Sequence, residues 1–261
     1  MFFKFVFDGI LSDEYGIQCV NFSQTFTESY PSQETNIQAE KSVGSSIFHM
    51  VSQEYLSPLT YKIQVVNRDF SPITSTQERA LNKWLCQRGK YKLFCILDKR
   101  YADIWFYANI NNPSLMWIND VNALEYTITT NAPFGFSDER NILVEFTRND
   151  TFEQYIDNDE ELTLYPSMEI LLKDSGTLTI TNQSAGGFND NVFTVANCAT
   201  GEMITIDASY PRISSSIQSH KVYNDFKKKW FYWIDGFNTI HSNLACAIRF
   251  KYREYRKVGI V

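Results

Sequence analysis

The feature that most constrains the fold of this chain is the alternation of apolar and polar residues with a period of two. It recurs in short segments at residues 124–128, 177–181, 203–207 and 245–253. Each segment is typical of a β-strand with one buried and one exposed face. Turn sequences such as Asp174-Ser175-Gly176 and Asp235-Gly236 separate the segments. The sequence therefore predicts a mainly β protein.

One segment has a helical pattern instead and predicts a helix over about residues 76–87. Ser75 and Glu78 have the spacing of a capping box, and Gly89 is placed to end the helix. The helical stripe of apolar residues consists of Leu81, Trp84 and Leu85. A second, weaker helical candidate covers residues 222–231, although its lysines and aromatic residues fit a strand nearly as well.

The length of 261 residues allows one large domain or two ordinary ones. A run of turn residues at 133–139 ends one series of strands, and another series starts at Ile142. We therefore expect an N-terminal domain at 1–138 and a C-terminal domain at 139–261. The last strand, 245–257, needs a sheet partner that either domain could supply.

Charge argues against general nucleic-acid binding, because the chain has 24 Lys and Arg against 30 Asp and Glu. The charge is unevenly distributed. Residues 221–261 contain nine basic and three acidic residues, whereas residues 1–220 contain fifteen basic and twenty-seven acidic residues. Lys227, Lys228 and Lys229 precede aromatic residues that begin at Trp230 and could bind single-stranded nucleic acid or anionic lipid. A solvated basic edge is the favoured interpretation, since the rest of the chain is acidic.

The five cysteines are odd in number, widely spaced and without a CxxC pair, which argues against a disulfide framework or a zinc site. Cys95 and Cys246 lie in strand-like runs and are expected to be buried thiols, as in a protein made in a reducing cytosol. The apolar start reads as a strand and not as a signal peptide. No apolar run approaches the roughly 18 residues of a membrane span, so no membrane association is expected.

No catalytic constellation is evident, and we expect neither enzyme activity nor a cofactor or metal. His220 or His241 could be combined with Ser214–Ser216 as a serine triad, but no GxSxG motif supports it. The acidic run 157–161 lacks the glycine and the final glutamate of a calcium loop. Trp105, Trp117 and Trp233 could stack on sugars, so the alternative function is a stand-alone carbohydrate-binding β-sandwich module.

Taken in order, the segments of this chain resemble the distal tail protein (Dit) family of long, non-contractile-tailed bacteriophages. Each motif is weak alone, but their order and spacing over nearly the whole chain are specific. The first half contributes Phe5-Val6-Phe7-Asp8-Gly9, Ser12-Asp13-Glu14-Tyr15-Gly16-Ile17, Trp84-Leu85, Leu93, Asp98, Tyr107 and Pro133-Phe134. The second half contributes Tyr165-Pro166, Ile170, residues 176–182, residues 201–207 and residues 235–240.

This resemblance implies an N-terminal β-sandwich with one α-helix that forms a hexameric ring, and a C-terminal galectin-like β-sandwich. It implies a virion tail-tip protein, made in the host cytoplasm, that joins the tail-tube protein to the tail-associated hub or lysin protein. Receptor-binding proteins attach to the outer domain in many members, and DNA passes through the channel without specific binding. Aromatic and charged residues suit subunit contacts. The candidate interface residues are Trp84, Tyr107, Lys227, Lys228, Lys229 and Trp230.

The chain also departs from related proteins in ways that limit these implications. The His-x-Asn-Pro-Arg strand of the galectin sugar site does not occur. "Galectin-like" therefore refers to shape alone. The chain has no room for the inserted sugar-binding modules or the long arm of enlarged family members.

Overall fold

The computed structural model describes residues 4–20, 35–42, 44, 46–98, 103–118, 121–160, 162–186 and 192–258. The chain is mainly β, and it divides into two compact units. One unit consists of Met1–Phe136 with Arg256–Val261, and the other of Ser137–Tyr255. No helix in the described ranges is both long and apolar enough to cross a membrane.

The N-terminal unit contains strands β1 to β10, the α-helix α1 and a single 3-10 turn. The strands are β1 (Lys4–Phe7), β2 (Ile10–Leu11), β3 (Ile17–Val20), β4 (Thr35–Lys41), β5 (Phe48–Tyr55), β6 (Thr60–Asn67), β7 (Lys92–Leu97), β8 (Trp105–Ile118), β9 (Val121–Thr130) and β10 (Gly135–Phe136). The 3-10 turn is Ser12–Tyr15, and α1 is Ser75–Leu85.

Seven strands of this unit form a large antiparallel sheet with the order β2-β1-β7-β8-β9-β6-β3, and β10 pairs with β8 beside it. Although β1 and β3 are distant in this order, they contact each other, so the sheet curls over its own apolar face. Leu124, Tyr126 and Ile128 of β9 are buried in that core, as their alternation predicts. Among the described strands, β4 and β5 pair with each other and with no other strand.

Helix α1 closes the N-terminal core with Leu81, Trp84 and Leu85, which confirms the predicted apolar stripe. The predicted caps were both wrong. Thr74 is the N-cap, because its backbone is extended and its side chain accepts a hydrogen bond from the Gln77 amide. Helical bonding ends at Cys86, whose amide donates to the Asn82 carbonyl, and Gly89 lies beyond it in the following turn.

The C-terminal unit contains the remaining strands and a one-turn helix, α2 (Val222–Asp225). The strands are β11 (Arg140–Phe146), β12 (Asp150–Ile156), β13 (Ser167–Leu172), β14 (Gly176–Asn182), β15 (Val192–Cys198), β16 (Met203–Asp207), β17 (Arg212–Ser215), β18 (Gly236–Ser242), β19 (Cys246–Tyr252) and β20 (Tyr255–Arg256), which runs across the division between the units.

The strands β11 to β19 form a β-sandwich of two antiparallel sheets. The five-stranded sheet has the order β11-β19-β13-β16-β17, and the four-stranded sheet has the order β12-β18-β14-β15. Both sheets direct side chains into one core, for example Ile170 and Ile248 from the first sheet and Ile180 and Ile240 from the second. The alternating residues of β19 lie in this core, where the strand pairs with β11 and β13.

The predicted helix over 222–231 was wrong beyond its first turn. The backbone becomes extended at Phe226, and Lys228 has a positive φ of 60°. The strand alternative fails as well, since one isolated bridge from Phe226 to Val195 is the pairing found there. This segment follows the surface of the sandwich because Val222, Phe226 and Phe231 are all buried in its core.

Candidate functional site

The surface best suited to contact a partner is the β4–β5 hairpin of the N-terminal unit. Its pairs include Ile37 with Gln53, Ala39 with Met50, and Lys41 with Phe48. Directly paired residues lie on the same side of a hairpin, so these side chains form one face. The paired residues Asn36 with Glu54, Gln38 with Ser52, and Glu40 with His49 form the opposite, polar face.

The apolar face of this hairpin is open to solvent. Ile37 is 57% exposed, Phe48 is 66% exposed and Met50 is 62% exposed. The hairpin is held at its base, where the ring of Tyr55 packs edge-on against Phe134. An isolated two-stranded hairpin is only marginally stable in water, and an exposed apolar face commonly marks an interaction site. The apolar hairpin face, Ile37, Ala39, Phe48 and Met50, is therefore suited to pack against another protein surface.

A second exposed apolar patch of the N-terminal unit lies near the end of β8. Leu115 is 49% exposed and Trp117 is 62% exposed, and both side chains point to the same side of the strand. The β8 patch, Leu115 and Trp117, is separate in sequence from the hairpin.

Of the predicted interface residues in the N-terminal unit, Trp84 lies inside the core. Its indole stacks on Tyr15 with ring centroids 4.4 Å apart, and its Nε1 donates to the Phe7 carbonyl at 3.3 Å. Tyr107 is half-buried and packs edge-on against Phe136. Both residues belong to the N-terminal unit, and the other four candidate interface residues belong to the C-terminal unit.

Lys227, Lys228 and Lys229 are exposed on the C-terminal unit, and Trp230 is half-buried beside them. The ammonium group of Lys228 lies 4.9 Å from the centre of the Tyr223 ring. Trp230 packs against Phe226 with centroids 4.7 Å apart. It also lines a shallow apolar cavity of about 160 Å³ together with Tyr165, Pro166, Met168, Pro211 and Phe231. The surface around Trp230 therefore has exposed lysines next to an apolar cavity.

The side chains around His220 do not form a serine triad. Its Nδ1 is 2.5 Å from Glu202 Oε1, and its Nε2 is 3.1 Å from Asp225 Oδ2. The Ser215 hydroxyl donates to Glu202 instead of approaching the imidazole. His241 lies half-buried on β18 in the four-stranded sheet. The arrangement at His220 is thus a histidine between two carboxylates.

The cysteines have the environment of structural thiols. Cys95 and Cys246 are buried, as predicted, and burial raises the pKa of Cys246. Burial also raises the pKa of Cys198 to about 11. A thiol is a weak nucleophile until it ionises, so these groups are suited to packing.

The acidic run at 157–161 is tied into the fold as far as it is described, and Glu161 lies outside the described residues. Asn158 Nδ2 donates to the carbonyls of Glu160 and Leu162, and its Oδ1 accepts from the Tyr255 amide. Within the described ranges, no group of three or more acidic, His or Cys side chains is placed to hold a metal ion.

The aromatic residues that suggested a sugar platform occupy different environments. Trp233 is fully buried, Trp105 is half-buried and Trp117 is exposed. A pair that sequence reasoning missed lies on the four-stranded sheet: Tyr155 and Phe237 are 53% and 71% exposed, with ring centroids 5.0 Å apart. The apolar hairpin face was missed too, because alternation locates a strand face without showing what covers it.

Two protein families match the sequence, one in each half of the chain. A family described as "Phage tail protein N-terminal domain" matches residues 1–132, and one described as "Phage tail C-terminal domain" matches residues 134–252. No curated protein sequence is recognisably similar to the chain.

Three solved structures have a similar fold over their whole length. The first is the SPP1 Dit protein (gp 19.1), described as a paradigm of the hub adsorption apparatus in phages infecting Gram-positive bacteria. It is 9% identical to this chain with a TM-score of 0.66, and the alignment covers 96% of this chain and 98% of that one. A chain of the phage P2 baseplate, activated with Ca, is 8% identical with a TM-score of 0.55, covering 100% of both chains. The same baseplate activated with Sr gives 9% identity, a TM-score of 0.55, and coverage of 100% of this chain and 99% of that one. At these identities the likeness is one of fold.

Proposed function

Because the chain belongs to the phage tail protein family whose two domain descriptions match residues 1–132 and 134–252, we propose that six copies form a ring at the tail tip. In this role it is a Dit-like structural protein that joins the tail tube to the hub or baseplate. We assign the ring-forming part to residues 1–138 and a galectin-like outer part to residues 139–261.

The single observation that carries the ring proposal is the exposed apolar hairpin face, which no described element covers. A closed ring needs two different surfaces on each subunit, one fitting the other. The apolar hairpin face supplies one such surface, and the β8 patch of a neighbouring copy is a candidate for the second. Packing the two together would remove Phe48, Met50 and Trp117 from water, which supplies the main driving force for association.

The proposed partners follow from this position in the tail. The tail-tube protein and the tail-associated hub or lysin protein would contact the two faces of the ring, and receptor-binding proteins would attach to the outer part. DNA would cross the channel without specific binding. Acidic residues facing the channel would repel the DNA backbone and let it slide, in line with the net charge of −6. We propose that the chain has no enzymatic activity.

The proposal is tested by mass photometry and negative-stain imaging of the purified chain. We expect an open ring of about 180 kDa, six times the 30.3 kDa subunit. Phe48→Ser combined with Met50→Ser should leave the subunit folded, because both side chains are largely exposed, and should abolish the ring.

Leu143→Ser is the matched control, since Leu143 is 60% exposed on β11 of the other unit. It should assemble like the wild type. Assembly of the double variant at wild-type levels would show that the hairpin is not part of the interface.

The second candidate function is a carbohydrate-binding module that acts alone. The observation in its favour is the exposed Tyr155–Phe237 pair, because aromatic rings on a sheet surface can stack on sugars. This function requires a monomer or dimer whose melting temperature rises with an added cell-wall glycan, since a ligand that binds only the native state stabilises it. A stable ring with no glycan response would exclude it.

A further inference from the structure

The free edge of the four-stranded sheet is covered by a short segment of the same unit. The edge strand is β15, the last in the order β12-β18-β14-β15. The Lys227 amide donates to the Thr194 carbonyl at 3.1 Å, and Phe226 forms a bridge with Val195. An open strand edge is a template for pairing with another chain, so such edges are usually covered. We call residues 221–227 the edge cover.

The edge cover has little intrinsic stability of its own. It contains one helical turn, α2, which has no side-chain cap at its N-terminus. A helix of one turn is not stable without tertiary contacts. Val222 and Phe226 supply apolar contacts, being 5% and 3% exposed. Its polar attachments are the Lys227 amide on the Thr194 carbonyl and the contacts of Asp225 with Asn197 and His220.

His220 connects the edge cover to the rest of the sandwich. The Glu202 carboxylate, fully buried in the turn before β16, accepts from His220 Nδ1 at 2.5 Å, the Ser215 hydroxyl at 2.5 Å and the Ala199 amide at 2.9 Å. On the other side of the ring, Asp225 accepts from His220 Nε2 at 3.1 Å and from the Asn197 side chain at 3.1 Å.

This geometry requires a charged imidazole. A carboxylate only accepts hydrogen bonds, so both ring nitrogens of His220 must donate, and a neutral imidazole carries one N–H. The side chain of His220 is 8% exposed, so a lone pair facing a carboxylate there would not be relieved by water. Loss of the proton would therefore break one of the two contacts.

The ionisable groups around His220 include Glu202, Asp225, Cys198 and Lys221. Burial alone would raise the pKa of Glu202, but hydrogen bonds from Ser215, Ala199 and His220 outweigh it and hold that pKa below its usual value. Glu202 therefore stays ionised into mild acid. The Cys198 thiol on β15, with a pKa near 11, stays neutral, and Lys221 is exposed to solvent.

We propose that the edge cover is a pH-dependent latch, held closed over β15 while the His220 ring is charged between Glu202 and Asp225, and released when the ring loses its proton. Release uncovers the backbone edge of β15 together with Val222 and Phe226. Because the closed state holds this proton, it is favoured at low pH and is lost as the pH rises. This latch goes beyond the ring proposal and does not depend on it.

The test is hydrogen–deuterium exchange of the full chain between about pH 5.5 and pH 8.5, corrected for intrinsic exchange rates. Because release of the latch is linked to release of one proton, protection of 221–227 should fall as the pH rises across this range, by at most about tenfold per pH unit. His220→Gln should show low protection of 221–227 at every pH. His241→Gln, a change of the same kind on β18, should keep the wild-type profile.

Exchange of residues 246–252 in β19 reports on global folding, and it should not change in any of the three proteins. If His220→Gln fails to fold, the wild-type pH series decides alone. A flat wild-type profile would overturn the proposal, as would a His220→Gln profile equal to the wild type or a His241→Gln profile without pH dependence.

Discussion

At the scale of single residues, a buried asparagine holds the turn that starts β18. Asn238 is fully buried. Its Oδ1 accepts from the Ile234 amide at 2.9 Å and from Asn182 Nδ2 at 2.6 Å. Its Nδ2 donates to the carbonyls of Ile234 and Gly236. The Asp235-Gly236 turn, which the sequence indicated, therefore depends on a side chain whose role no motif revealed.

Asn238→Ala should lower the free energy of unfolding by about 3 kcal/mol, because it leaves several buried polar groups without partners. The same substitution at Asn141, which is exposed on β11, should change it by less than about 0.5 kcal/mol. Urea denaturation of both variants measures the difference. Equal stabilities would show that water replaces the lost contacts.

At the scale of elements, α1 shows how a correct pattern can still misplace a boundary. Both Thr74 and Ser75 can cap a helix, and the sequences Thr74-x-x-Gln77 and Ser75-x-x-Glu78 both fit a capping box. The choice is made by Asn67, whose side chain exchanges hydrogen bonds with Gln77. This contact holds Gln77 three residues after the cap, so the helix begins one residue earlier than predicted.

Thr74→Ala should therefore lower the free energy of unfolding by about 1 kcal/mol, the usual cost of losing an N-cap. Ser75→Ala is the matched control and should have little effect, because Ser75 lies within the helix. Thermal and urea unfolding distinguish the two variants. A larger loss of stability for Ser75→Ala than for Thr74→Ala would show that Ser75 is the N-cap.

At the scale of the whole molecule, charge is distributed unequally along the chain. The basic residues of 221–261 include Lys227, Lys228 and Lys229, which are exposed, while the rest of the chain is acidic. Attraction between exposed charges falls with added salt, because the Debye length shortens from about 10 Å at 0.1 M to about 3 Å at 1 M. Charge and apolar packing therefore make different predictions for assembly.

If charge contributes to ring assembly, rings should dissociate progressively as salt is raised. Replacing the three lysines with Gln should weaken assembly, and replacing them with Glu should weaken it further. Mass photometry over a salt series measures this order. Equal assembly of all three proteins at every salt concentration would show that apolar packing holds the ring.

The sequence alone determined several alternating strands, the helix α1 and the family. Alternation at Ile248 and Phe250, or the spacing of Leu81 and Trp84, depends on local backbone geometry, which repeats with a fixed period. These features could be predicted because each one lies within a single segment.

Only the tertiary structure decided which faces remain open and which polar groups meet. Phe48 and Met50 alternate like core residues, yet no described element covers them. His220 meets Glu202 and Asp225 because β16, β17 and α2 converge there, which no local pattern records. Burial and side-chain pairing depend on contacts between distant segments, so they are properties of the packed chain.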